Sequence, residues 1–207
     1  MKNLLAFISL TCFIVFGYAQ NTNEALIEYK ERNPIYDYSE YQLNNTDTIP
    51  GFATKANKLK ITGTIYESDG VTPAKGAMLF IEHADDNGDY QIKEKDNKRY
   101  MFHRGWIKTN ADGQYTFYTF VPGAAITPVT FPRRKGLIKI LPTVKEEGQP
   151  EYYLDALLFD DDPLLTKACR KRLKRKDIDN ILKPKKQGEM LVVNKDIVLK
   201  QNTLTYN

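Results

Sequence analysis

Residues 59–66, Leu-Lys-Ile-Thr-Gly-Thr-Ile-Tyr, alternate apolar and polar side chains, the period of a strand that buries one face and wets the other. A half-buried strand needs other strands to cover it, and the same pattern recurs along the chain. An apolar run at 77–83 closes on Asp85-Asp86-Asn87-Gly88, and 106–109 closes on Asn110-Ala111-Asp112-Gly113. Residues 115–120 run into Pro122-Gly123, and 137–141, 152–159 and 190–199 supply further strands. Short strands divided by Asp-Gly turns, with no helical period between them, predict an all-β fold: antiparallel sheets packed as a β-sandwich. One segment departs from this. Across 164–182 Leu165, Cys169, Leu173, Ile178 and Leu182 trace an apolar stripe among cations, which predicts a single C-terminal helix.

The first residues read as a targeting segment. Lys2 precedes an apolar run at 4–16, and Gly17 and Ala19 have the spacing a signal peptidase requires, so 1–19 is expected to be a cleaved signal peptide and the protein secreted or periplasmic. The run falls short of the roughly 20 apolar residues that cross a bilayer, so no membrane span is expected. Of two cysteines, Cys12 lies within this signal and Cys169 is left alone, so no intramolecular disulfide can form and stability must come from a packed core. Residues 20–57 are polar with scattered tyrosines and prolines and read as an extended arm. The sandwich is expected at 58–200, and 201–207 as a tail.

A formal net charge of +4 is too small to imply a polyanionic partner. The basic cluster at 170–176 has no interleaved aromatic residue to stack on bases, and it reads as a solvated helix face with no nucleic-acid partner. Asp160-Asp161-Asp162 lacks the alternating spacing and glycine of a calcium loop and reads as a solvated turn.

Four landmarks carry a resemblance. Ala84-Asp85-Asp86-Asn87-Gly88-Asp89-Tyr90 is followed by a long hairpin from Phe102-His103-Arg104-Gly105-Trp106 to Val121-Pro122-Gly123; Leu157-Leu158-Phe159-Asp160-Asp161-Asp162-Pro163-Leu164 and Asp196-Ile197-Val198-Leu199 come next. In this order they resemble the intradiol ring-cleavage dioxygenases, over about residues 59–199. The resemblance implies a ferric iron held by two tyrosinates and two histidines, a hard donor set suited to Fe(III). Tyr90 falls at the first tyrosine. Where a second tyrosine should follow the Pro-Gly turn, the chain reads Ala124-Ala125-Ile126, and Leu137 and Lys139 stand at the two histidine positions after Arg134. Leucine offers no lone pair, and a protonated lysine repels a cation.

The leading expectation is therefore an exported, non-catalytic intradiol dioxygenase-like protein with no cofactor, in which Tyr90, Arg134 and Lys139 bound a pocket for a small aromatic or anionic ligand. Two alternatives remain. One is an iron(III) dioxygenase for catechol-type rings with a rearranged set, in which His83 and His103, the two histidines of the chain, join Tyr90. The other is a structural or partner-binding surface module. The ordinary readings of these residues are a partly buried, hydrogen-bonded strand-end histidine, an exposed loop histidine and a packed tyrosine.

Overall fold

The computed structural model describes residues 29–38, 43–127 and 134–200. The expected signal at 1–19 and the tail at 201–207 lie outside the described residues, as do parts of the expected arm. Two six-stranded sheets pack face to face. The first has β1 (Thr46–Thr48), β7 (Gln114–Phe120), β2 (Lys58–Tyr66), β15 (Met190–Asn194) and β14 (Lys185–Gln187) side by side, with β16 (Ile197–Val198) on the far end of β2. The second runs β13 (Ile181–Leu182), β12 (Leu157–Phe159), β10 (Lys139–Lys145), β3 (Met78–His83) and β6 (Arg104–Lys108), with β11 (Tyr152–Tyr153) beside β10. Two small hairpins project from them, β4 (Ile92–Lys95) with β5 (Lys98–Met101), and β8 (Ile126–Thr127) with β9 (Arg134–Lys135).

The alternation in β2 is realised as expected, with Leu59, Ile61 and Ile65 inside and lysine, threonine and tyrosine outside. They meet Tyr115 and Phe117 of β7 and, across the sandwich, Leu79, Ile81, Ile107 and Ile140 in one continuous core. The centre of each sheet is antiparallel. β1 pairs with β7, β15 and β16 with β2, and β13 with β12, all in parallel, while β14 is antiparallel to β15 at its edge. The all-β sandwich is as expected, with some parallel pairs added to its antiparallel ones.

Other expectations change too. The arm is not only an overlay: residues 46–48 add a strand to β7, and the Asp47 carboxylate beside them accepts the Trp106 backbone N–H of the opposite sheet at 2.8 Å. Ile35 is buried against Met78 and Phe80, and Trp106 Nε1 donates to the Pro34 carbonyl at 3.0 Å. The expected C-terminal helix, α1 (Lys167–Arg175), is shorter than 164–182. Thr166 caps its N-terminus by accepting the Cys169 N–H, and Asp177 ends the segment at φ +55°. Leu165 is buried before the helix begins, and Leu182 serves strand β13, so the apparent helical stripe was two different elements. Among the described residues no helix is long and apolar enough to cross a membrane.

Candidate functional site

Because successive residues of a strand face opposite ways, β3 sorts the candidate groups onto two sides. Leu79, Ile81 and His83 point between the sheets; Met78, Phe80 and Glu82 point outward. His83 is 1 % exposed, and both ring nitrogens are used. Nδ1 lies 2.7 Å from the Ala84 carbonyl, which can only accept, so Nδ1 carries the proton and Nε2 accepts from the Thr119 hydroxyl at 2.7 Å. Burial pushes its pKa down to about 4, and the charge of Lys55 works in the same direction. The His103 ring stacks on it with centroids 5.9 Å apart, and Phe120 sets its edge against both. His103 Nδ1 donates to the Pro50 carbonyl at 3.0 Å, while its buried Nε2 has no hydrogen-bond partner. Burial lowers this histidine's pKa as well.

Tyr90 lies in the loop between β3 and β4. The turn before it is built by Asp85, whose carboxylate accepts the N–H groups of Asn87 and Asp89 and the Gln91 amide, each at 2.9 Å. Gly88 at φ +91° lets this turn press against the Ala124 carbonyl, and Gly123 N–H donates to the Asp85 carbonyl at 2.7 Å. Tyr90 is half-buried; burial raises the pKa of its phenol, and the Glu82 carboxylate adds to the rise. Burial also raises Glu82, and the Arg104 guanidinium, opposite it on β6, holds it back. Arg104 lies over the Tyr100 ring, 3.8 Å from its centroid.

Lys139 opens β10 opposite Leu158 and, by alternation, shares the outward face with Leu141, the partner of Glu82. Leu137 precedes the strand instead of lying in it, because Ile138 N–H is drawn to the Asp162 carboxylate at 2.7 Å. Asp162 is buried, and its other oxygen accepts the Leu164 N–H at 2.8 Å; Asp160 pairs with Arg170. The acidic triplet is therefore a turn anchored at both ends and not simply solvated. Arg134 is exposed on β9.

The residues present do not fit a two-tyrosine, two-histidine ferric site. Both imidazoles point into the core, His83 has no free nitrogen, and the strand neighbour that acts on Tyr90 is a carboxylate that opposes loss of its proton. Among the described residues no three histidine, cysteine, aspartate or glutamate side chains gather to hold a metal ion. Sequence reasoning missed Thr119 and Lys55 around the histidines, and Glu82 and Arg104 beside Tyr90. A charged residue at 82 inside the otherwise apolar run 78–83 was the available signal for the last pair.

No protein-family model matches the sequence, and no curated protein matches it. Solved structures do. The dioxygenase domain of a dioxygenase carbohydrate-binding protein fusion from Streptomyces sp. SirexAA-E aligns with TM-score 0.55 at 21 % identity, over 81 % of this chain and 99 % of that one. Catechol 1,2-dioxygenase from Pseudomonas arvilla C-1 aligns with TM-score 0.59 at 14 % identity, over 79 % of this chain and 58 % of that one. The mercury-inhibited catechol 1,2-dioxygenase from Acinetobacter sp. ADP1 gives TM-score 0.56 and 17 % identity, over 76 % and 57 %. The fold is that of the intradiol ring-cleavage dioxygenases. The chain spans somewhat more than half the length of these two catechol dioxygenases and nearly all of the Streptomyces domain. On this intradiol-like sandwich, Lys139 stands on the outward side of the second sheet and Tyr90 in the loop after β3, while His83 and His103 are buried.

Proposed function

We propose that this chain is an exported, non-catalytic intradiol dioxygenase-like protein that binds a small aromatic or anionic ligand beside Tyr90, Arg134 and Lys139. The observation that carries the reading is the position of Lys139. It occupies the outward face of β10, next to the partner of Glu82, where the resemblance expects an imidazole. An ammonium repels ferric iron but attracts a carboxylate or phenolate, and the Tyr90 phenol would offer a ring edge and a hydrogen bond to the same ligand. Arg134 adds a second cation on an exposed strand.

The unpartnered Nε2 of His103 is the one observation that favours an iron-dependent oxygenase instead. That nitrogen is buried, and its ring packs against Phe120 and the His83 imidazole, whose two nitrogens are both hydrogen-bonded.

The test is to purify the chain with added ferric iron, record the visible spectrum, and follow oxygen uptake with catechol. A colourless protein with no uptake, whose melting temperature rises with benzoate or protocatechuate, is the expected result. A tyrosinate-to-iron band together with oxygen consumption overturns the proposal. Absence of any shift with every aromatic acid removes the ligand and leaves a structural module.

A further inference from the structure

The small net charge of the chain conceals a local excess. From 167 to 176 every ionisable side chain except the Cys169 thiol is a cation, and no carboxylate stands among them. These residues form α1 and its C-cap, a helix that buries no side chain. Cys169 and Leu173, four apart, are half-buried and mark the side turned to the domain. Lys167, Lys171 and Arg175, also four apart, stand exposed on the opposite side, with Arg172 and Lys174 flanking them. A helix rises about 1.5 Å per residue, so this row presents a cation roughly every 6 Å.

An ordinary solvated helix sets acids and bases four apart, and each such pair supports it. α1 does the reverse. Lys167 with Lys171, and Lys171 with Arg175, place like charges one turn apart, and Lys167 adds a cation at the positive end of the helix dipole. Among the described residues Arg170 alone of these cations has an ion-pair partner, Asp160. The helix is held by other means: the Thr166 cap, and Arg170, which grips both the carboxylate and the backbone carbonyl of Asp160. The outward row is thus fixed in place without counter-charge, and a bound polyanion would relieve its self-repulsion.

We propose that the row of Lys167, Lys171 and Arg175 is a docking surface for an acidic polysaccharide, a linear chain with one carboxylate on each sugar. A straight row of cations complements a straight row of anions, and one turn of helix is comparable with the length of one sugar unit. Other polyanions fit less well. A helix that docks on lipid turns apolar side chains to the bilayer, whereas the outward side of α1 is wholly charged. Single-stranded nucleic acid is gripped by aromatic rings that stack on its bases, and 164–186 contains none. Lys139 and the ligand proposed beside it take no part.

The surface is tested on the full chain by calorimetric titration with a galacturonate hexamer, with the same hexamer methyl-esterified, with a DNA duplex and with phosphatidylserine vesicles. The acidic hexamer is expected to bind, more weakly as salt rises, and the neutral ester is not. The double variant Lys171→Gln, Arg175→Gln keeps good helix formers and should weaken binding roughly tenfold without lowering the melting temperature of the free protein. Lys75→Gln with Lys95→Gln, at exposed lysines on other segments, should leave binding unchanged. No binding of the acidic hexamer, equal binding of the ester, equal weakening by the two double variants, or tighter binding of the duplex or the vesicles overturns the proposal.

Discussion

His83 and His103 stack almost flat, with 5° between ring planes, and Phe120 closes both at right angles. The two imidazoles fill the end of a core and remain neutral, because burial lowers the pKa of both.

That neutrality makes stability depend on pH. The folded pKa of His83 is held at about 4 against 6.5 when unfolded, so between these values the unfolded chain binds more protons. The contribution is complete above pH 6.5 and is lost as pH falls towards 4, amounting to about 2 kcal/mol by pH 5. Urea denaturation at pH 7.5 and pH 5 should show the loss, and His83→Gln should flatten it. A slope that survives in the variant would assign it to other groups.

Asp37 gathers three cations. Lys98 Nζ lies 2.9 Å away with both side chains 5 % exposed, Arg32 at 3.2 Å and Arg104 at 3.5 Å. Asp37→Ala leaves the Lys98 ammonium buried without its counter-charge and should cost about 3 kcal/mol. In the double variant with Lys98→Met, denaturant midpoints should recover part of that loss, since the stranded charge is then removed.

Two glycines at positive φ should respond differently to alanine. At Gly88, φ +91°, a Cβ would collide with the Ala124 carbonyl; at Gly148, φ +71°, it would meet open space. Gly148→Ala should cost about 1 kcal/mol from the backbone alone, and Gly88→Ala at least about 2 kcal/mol more from the collision. Thermal unfolding of the two variants decides it; equal losses would mean that the 85–89 turn is not clamped to 123–125.

Lys139→Ala should weaken binding of aromatic acids roughly tenfold while leaving the melting temperature of the free protein within about 2 °C. Ligand titration followed by intrinsic fluorescence reads the first, and calorimetry the second. Undiminished binding would move the anion site away from β10.

The sandwich was legible because its evidence is local: a period of two in β2, an Asn-Gly turn at 85–88 and an Asp-Gly turn at 110–113 describe half-buried strands wherever they lie. The resemblance expects ligands where Ala124, Leu137 and Lys139 stand, and alanine and leucine side chains carry no lone pair in any fold. What the sequence left open depended on partners far along the chain. Thr46–Thr48 is too short and polar to announce itself as a strand, and it becomes one only because Gln114–Phe120 offers a free edge. The stripe at 164–182 matched a helix until Ile181–Leu182 found β12 as a neighbour. Adjacent residues Glu82 and His83 received opposite environments from the pleat of one strand, which sent the imidazole towards Thr119 and Phe120 and the carboxylate towards Tyr90. Residue type alone thus determined what chemistry was possible, and only the packing of two sheets decided which groups could meet, because side-chain direction is set by a register that no single segment carries.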